Sequence, residues 1–403
     1  MSTTTDAKAT TTKASVLDDV PLPIPNLALP QLVFVLNRST TDDDKRQRLD
    51  RVLKLVEDDA MAPYLSHLMA QSHVPTNERT RALLDRLKDD NDKRYKELDA
   101  KLNDARDNLG PSEVSDALRE IAAHLAKIGE NERAIEAHEE AFEKTAGKGT
   151  KIDLVLTMIR ISFFHADQAR ATTLIDRAQK LVDEGGDWDR RNRLKVYEAL
   201  ELLSVRSFQK ASELLLDALP TFTATELIEY DEFVTLCVLA GVFSLERKDL
   251  KQKIINSPEV ISVLPNVPTL SNYTGSLYKT DYATFFRSLA TVEEEHFLPS
   301  LLLSRHSKYY TRELRLKAYS QLLESYRSVT LDSLARAFGV TKDWLDADLA
   351  RFIAAGRLNC SIDRVGGVVE TRRPSIKNAR YAQVIKTGDQ VLTSVQRLSR
   401  VIG

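Results

Sequence analysis

At 403 residues, 42% hydrophobic and 29% charged, the chain is long enough for two or three domains with substantial buried cores. Only 14 Gly and 13 Pro argue against an all-β fold, which needs many more turns. A net charge of −2 and a pI near 6.4 exclude a global field that would gather nucleic acid or membrane. The two cysteines, Cys237 and Cys360, lie in apolar periodic segments and read as buried thiols in a reducing compartment. No run reaches the length of a membrane span, and the first residues lack a secretory signal pattern, so an intracellular soluble protein is expected.

The first 20 or so residues are mainly Thr, Ala, Ser and Lys with little to bury, and a disordered tail is expected over 1–25. Pro21, Pro23, Pro25 and Pro30 then punctuate an extended lead-in to the apolar run Leu32 to Leu36. That segment is either a tether packed on the first helices or a docking arm. Asp42 to Val56 and Ala62 to Ser72 have the pattern of two short helices. Thr76 to Leu109 is highly charged, with a thin apolar stripe of Leu84, Leu87, Tyr95, Leu98, Leu102, Ala105 and Leu109. This predicts a long helix that packs along one narrow seam. Together these helices make a first region, 26–110.

From Pro111 a degenerate repeat begins. Ala134 and Ala141, Ala171 and Ala178, and Ala211 and Ala218 are each seven apart, and successive pairs are offset by 37 and 40 residues. Each pair follows another helical segment, Val114 to Lys127, Ile152 to Phe164 or Arg193 to Leu203. Two helices per unit, with small residues at the crossings, predict tetratricopeptide-like hairpins stacked in a right-handed solenoid over 111–220. Between the second and third units, Arg190, Arg191, Arg193 and Lys195 form a basic cluster. It is either a solvated helix start or a docking site for an acidic partner.

Helical pattern continues from Thr223 to Thr291, broken by Pro258, Pro265 and Pro268, and resumes as a long helix expected from His296 to Ser325. The span 221–328 thus forms a further helical region. Within it Arg305, Lys308, Arg312 and Arg315 would share one helix face beside Tyr309 and Tyr310. Such a stripe either packs with its tyrosines inward or holds single-stranded RNA by phosphate contact and stacking.

Residues 329–375 condense into a winged-helix pattern. Thr330 is placed to cap a helix whose apolar face is Leu331, Leu334, Ala335 and Phe338, and Gly339 can end it in a left-handed conformation. Thr341 is expected to cap a second helix burying Leu345, Leu349, Phe352 and Ile353, with Gly356 as its stop. Leu358, Cys360 and Ile362 then alternate as a strand, Asp363 to Gly367 turn, and Val368 to Thr371 return as a hairpin. DNA recognition is disfavoured, because the second helix would carry Asp343, Asp346 and Asp348 towards phosphates against Lys342 and Arg351. Arg364, Arg372 and Arg373 on the hairpin do not outweigh those carboxylates. Last, Ala379 to Ile402, in the region 376–403, makes a helix whose Val384, Gly388, Val391, Val395, Leu398 and Ile402 recur at steps of three and four. One helix cannot bury that seam alone, so it packs against other chains or folds back on its own.

Catalytic constellations are missing from the sequence. Gly366-Gly367 lacks the helix and lysine of a phosphate loop, there is no HExxH or Cys/His ligand spacing, and Glu293-Glu294-Glu295-His296 points in divergent directions. No catalytic, metal-binding or cofactor-binding residue is assigned, and no enzyme is expected.

A helical solenoid running into a winged helix and a terminal helix resembles the PCI family, named for the proteasome lid, the signalosome and a translation initiation factor. The resemblance is carried by AYSQLLESYRSVTLDSLARAFGV (Ala318 to Val340), RFIAAGRLNCSIDRVGGVVETRRP (Arg351 to Pro374), DWDRRNRLKVYEAL (Asp187 to Leu200) and QRLSRVI (Gln396 to Ile402). It implies a mostly α scaffold of the lid kind, found in cytoplasm and nucleus, whose winged helices associate side by side and whose terminal helices gather in a bundle. Carried onto this chain, the PCI interface would use Trp344, Asp348, Asn359, Ser361, Asp363, Val368 and Glu370. The bundle would use Val391, Val395, Leu398 and Ile402. Implied partners are the other lid PCI subunits, the deubiquitinating lid subunit, a small acidic lid subunit at Arg190 to Lys195, and the base of the regulatory particle. No membrane, nucleic acid or cofactor is implied. The alternatives are a signalosome scaffold and an RNA-binding PCI protein of translation initiation.

Overall fold

A computed structural model describes residues 23–39, 41–371 and 376–402, with side chains excepted at 376–379 and 401–402. The tail expected at the N-terminus, apart from its last few residues, and Arg372 and Arg373 lie outside the described residues. The chain forms two compact units, one from residues 1–274 and 291–308 and the other from 275–290 and 309–403.

The first unit opens with α1 (Ala28–Arg38), α2 (Asp42–Asp58), α3 (Ala62–Ala70) and α4 (Glu78–Asn108). The expected lead-in is non-helical over the described residues 23–27 and becomes helical from Ala28. Pro30 sits in the first turn of α1, where its missing N–H is not required, and Leu29, Val33 and Leu36 are buried at steps of four and three. Leu29 and Val33 join Val52, Val56, Met61 and Leu65 in one core. The seam of α4 is narrower than its apolar stripe. Leu87, Leu98, Leu102 and Ala105 are buried, whereas Leu109 is exposed.

Three helical hairpins follow: α5 (Pro111–Lys127) with α6 (Glu132–Lys144), α7 (Lys148–Phe164) with α8 (Gln168–Asp183), and α9 (Trp188–Ser204) with α10 (Phe208–Ala218). All six repeat alanines are fully buried, so each marks a close helix crossing. A second periodic feature is conformational. Gly129 (φ 77°), Ala166 (φ 56°) and Arg206 (φ 67°) take the left-handed conformation in the three hairpin turns. Their offsets of 37 and 40 residues equal those of the alanines, so the repeat survives as backbone geometry where the turn residue itself varies. In α6, His138 is buried and donates its Nδ1–H to the Ala134 carbonyl at 2.7 Å. Burial lowers its pKa from 6.5 to about 4.

Beyond the repeats run α11 (Tyr230–Ser244), α12 (Arg247–Leu250) continuing as a π turn to Ile255, α13 (Pro258–Val263), α14 (Pro268–Lys279) and α15 (Tyr282–Val292). Pro258 and Pro268 begin helices rather than merely breaking them. α11 is buried all round from Phe233 to Val242, and burial pushes the Cys237 thiol well above its ordinary range. A Cβ at Gly241 would stand against the Ile254 Cδ1, so any larger residue there requires that side chain to shift. The helical region expected from His296 to Ser325 is present with one interruption: a π turn covers Glu293–Phe297, turns follow Pro299, a 3-10 turn covers Ser304–His306, and α16 spans Ser307–Ser325.

The second unit holds β1 (Ser328–Thr330), α17 (Leu331–Phe338), α18 (Lys342–Ala354), β2 (Cys360–Asp363), β3 (Val368–Thr371) and α19 (Ile376–Ile402). Thr330 accepts the Ser333 N–H at 3.3 Å and Gly339 has φ 65°, as the sequence predicts. Thr341 stands at the start of α18 in extended conformation, without a capping bond from its side chain. The sheet has three strands, not two, in the order β1-β3-β2 and antiparallel throughout. β1 is missed by sequence reading because three residues are too few to show alternation. Its Val329 and the Ile362 of β2 flank the buried Val369 of β3.

Tyr319 of α16 is the hub of this unit. Its ring meets Phe338 of α17 at 4.8 Å, Phe286 of α15 at 5.8 Å and Phe352 of α18 at 6.0 Å. Its hydroxyl donates to Asp348 Oδ2 at 3.1 Å, and Arg315 approaches the same oxygen at 3.5 Å. Asp348 is therefore not a surface residue, contrary to the expectation that it faces a partner; it is 4% exposed. A buried carboxylate needs such partners because leaving it unpaired costs several kcal/mol. Glu313 adds a bidentate pair to Arg357, both contacts at 2.6 Å, tying α16 to the turn after α18.

Three outcomes follow for stability. Tyr319→Phe leaves Asp348 without its hydroxyl donor and is expected to cost about 1–3 kcal/mol in urea unfolding. Ala178→Leu overpacks a helix crossing and should cost about 1–3 kcal/mol in the same assay. The unfolded imidazole of His138 takes up a proton below pH 6.5 but the folded one only near pH 4. The unfolded state thus binds more protons in that window, and stability falls as the pH drops through it. In His138→Leu, unfolding measured from pH 7 to 4 should show a shallower loss than the parent chain.

Candidate assembly surfaces

The terminal helix α19 has the simplest geometry. Every residue from Arg380 to Arg400 is exposed. Val384, Val391, Val395 and Leu398 form the expected seam, and Leu398 is 59% exposed although it is apolar. The structure adds Tyr381, Ile385 and Leu392, also exposed. Ile385 and Leu392 each stand one residue beyond a seam valine, a signal present in the sequence as the paired Val384-Ile385 and Val391-Leu392. They widen the seam towards the broad stripe of a multi-helix bundle. Nothing lies within 4 Å of where a Cβ on Gly388 would stand, which leaves a notch in that face. The Ile402 side chain lies outside the described residues. None of the described side chains of α19 is buried, although helices in proteins draw most of their stability from packing an apolar face.

The winged helix presents two strand edges, β1 and β2, while β3 lies between them. This changes the meaning of the expected interface residues. Val368 and Glu370 sit on the central strand, paired on both sides, and cannot offer backbone to a partner strand. Asn359, Ser361 and Asp363 lie on or beside the edge strand β2; Asn359 and Asp363 are exposed and Ser361 is half-buried. Asp363 also accepts the Val365 N–H at 3.0 Å, which shapes the wing turn. Trp344 is 41% exposed at the start of α18, with the Arg315 guanidinium 5.5 Å from its ring centre. Wing Arg364 pairs with Asp346 of α18 at 2.8 Å, so this cation is neutralised by the helix that would otherwise enter a DNA groove.

Sequence reading placed four cations together at the start of α9, and most are engaged within the chain. Arg190 reaches both carboxylate oxygens of Asp153 at 2.9 and 2.6 Å and also pairs with Asp187. The Asp153 hydrogen bonds foremost raise its pKa further above the ordinary guanidinium value. Arg193, 7% exposed, pairs with Asp189 at 2.8 Å, and Lys195 pairs with Asp217. Arg191 alone of the four is exposed, with no ion pair among the described residues. Near it, three residues earlier in α9, stands Trp188, 64% exposed, which sequence reading passed over.

The basic stripe of the preceding region is not one helical face. Arg305 lies in a short turn before α16 begins at Ser307, Tyr310 is fully buried, and Arg315 faces Asp348. Among the described residues no group of His, Cys, Asp and Glu could hold a metal ion, and no helix is long and apolar enough to cross a membrane.

Comparison with known proteins matches these regions one by one. Residues 80–253 match the 26S proteasome subunit RPN7 model, 279–373 the PCI domain model, and 380–402 the model of the 26S proteasome regulatory subunit RPN7/PSMD6 C-terminal helix. The chain is 40% identical over 383 residues to the 26S proteasome non-ATPase regulatory subunit 6 of Dictyostelium discoideum, covering 94% of this chain and 98% of that one. It is 43% identical over 379 residues to the rice (Oryza sativa subsp. japonica) protein of the same name, covering 94% and 96%. The COP9 signalosome complex subunit 1 of Arabidopsis thaliana is 24% identical over 200 residues, covering 49% of this chain and 45% of that one. With all three regions matched and such identity sustained over nearly its whole length, the chain belongs to the RPN7 family of 26S proteasome regulatory subunits and carries that family's PCI domain and C-terminal helix.

Proposed function

We propose that this chain is a non-catalytic scaffold of the proteasome regulatory particle, built into its lid and supporting ubiquitin-dependent protein degradation by holding other subunits in place. The observation that carries this reading is the uncovered apolar face of α19. Val384, Val391, Val395 and Leu398 are exposed together, on the segment that matches the family's C-terminal helix. Burying such a face releases roughly 25 cal/mol for each Å² of apolar surface removed from water, which drives helices of several chains into one bundle.

The winged helix supplies the second contact. The edge strand β2, with Asn359, Ser361 and Asp363, offers backbone groups for strand addition, and Trp344 offers an exposed aromatic anchor. Other lid PCI subunits are the partners of these two surfaces. The small acidic subunit is assigned to Arg191 with Trp188, the part of the basic cluster left exposed. The deubiquitinating subunit and the base are further members of the same assembly, in cytoplasm and nucleus. A signalosome role is less favoured, since the signalosome relative aligns with 49% of the chain. An RNA-binding role loses its support because the basic stripe is broken and Arg315 is engaged by Asp348.

Leu398→Asp places a charge on the seam without touching any buried contact. The tagged variant expressed in its own cells should be lost from the assembled lid on native gels, while the purified monomer unfolds within about 0.5 kcal/mol of the parent. Incorporation equal to that of the parent chain would refute the bundle.

A further inference from the structure

Residues 298–303 have the sequence of a helix without being one, whereas Ser304–His306 already form a 3-10 turn that leads into α16. Leu301, Leu302 and Leu303 are strong helix formers, and Pro299 stands where a helix readily begins. Two contacts distant in sequence hold the segment instead. Gln31 of α1 donates its Nε2 to the Pro299 carbonyl at 2.7 Å and accepts the Leu301 N–H on Oε1 at 2.8 Å. The carboxamide supplies a donor and an acceptor side by side, a pair that an alkyl side chain or an ionised carboxylate lacks. At the other end, His306 Nε2 donates to the Ser204 carbonyl at 2.8 Å, with its ring edge-on to Phe208.

The clasp competes directly with winding. In a helix starting at Pro299, that residue's carbonyl would accept the Leu303 N–H, whereas here it is taken by Gln31 and Leu303 N–H turns to the Ser300 hydroxyl at 3.3 Å. One helical bond is already in place, Ser304 N–H to the Ser300 carbonyl at 3.0 Å. The segment is thus poised between two hydrogen-bonding schemes, and the chain continues from it straight into α16.

We propose that residues 299–303 are a switchable extension of the helical run from Ser304 through α16, held unwound by the Gln31 clasp of α1. Withdrawal of α1 frees the Pro299 carbonyl, and the segment winds onto that run, lengthening it by about 8 Å at 1.5 Å per residue. The N-terminal helix thereby controls the length of the helix that leads into the winged helix.

Hydrogen exchange of the purified full chain, followed by mass spectrometry, tests this. Gln31→Ala should slow exchange about tenfold at the amides of Leu303 to His306, the opposite of what loosening a contact normally does. Gln31→Glu, of equal size but without the donor, should act in the same direction and excludes a repacking effect. Adding Leu302→Gly to Gln31→Ala should abolish the gain by weakening the helix. Faster or unchanged exchange at those amides in both single variants, or a gain that survives Leu302→Gly, would overturn the proposal.

Discussion

An amphipathic helix must bury its apolar face, and the organisation of this chain follows from how that demand is met. In the first unit α1 to α4 close on Leu29, Val52, Met61 and Leu65, and α4 lays Leu98 and Leu102 against α5. Each repeat hairpin closes on its paired alanines, and α11 is buried on every side. Only at α19 does a long apolar face stay open among the described residues. Among the described residues, one extended apolar face is thus left open, that of α19.

The winged helix shows the same division between internal and external work. Its polar groups of highest energetic consequence face inward: Asp348 is held by Tyr319 and Arg315, and Glu313 is locked to Arg357. These tie α16 to α18 and the turn after it, and the Tyr319 ring adds Phe338 of α17 to the same cluster. Charges that could have served nucleic acid are neutralised at close range, Arg364 by Asp346 and Arg315 by Asp348.

Much of this was legible in the sequence where local patterning and packing agree. The face of α17, its Thr330 cap and its Gly339 stop, the six alanine crossings and the α19 seam all follow from spacing alone. Long-range pairing was not legible. Asp348, Arg190, Arg193 and Lys195 look like surface charges in sequence, and only the fold shows that Tyr319, Asp153, Asp189 and Asp217 meet them. β1 was too short to show a period, and its arrival turned β3 from an edge into the centre of the sheet. The break at 298–303 in the helical region from His296 was hidden for the same kind of reason, because Gln31 lies 268 residues from the carbonyl it occupies.

The most direct test of the scaffold account is cross-linking mass spectrometry on the complex purified through a tagged copy of this chain. Lys386, exposed on α19, is the reporter. The account predicts links from Lys386 to terminal helices of other proteasome regulatory subunits in the recovered particle. Links confined to this chain's own residues, or recovery without proteasome subunits, would contradict it.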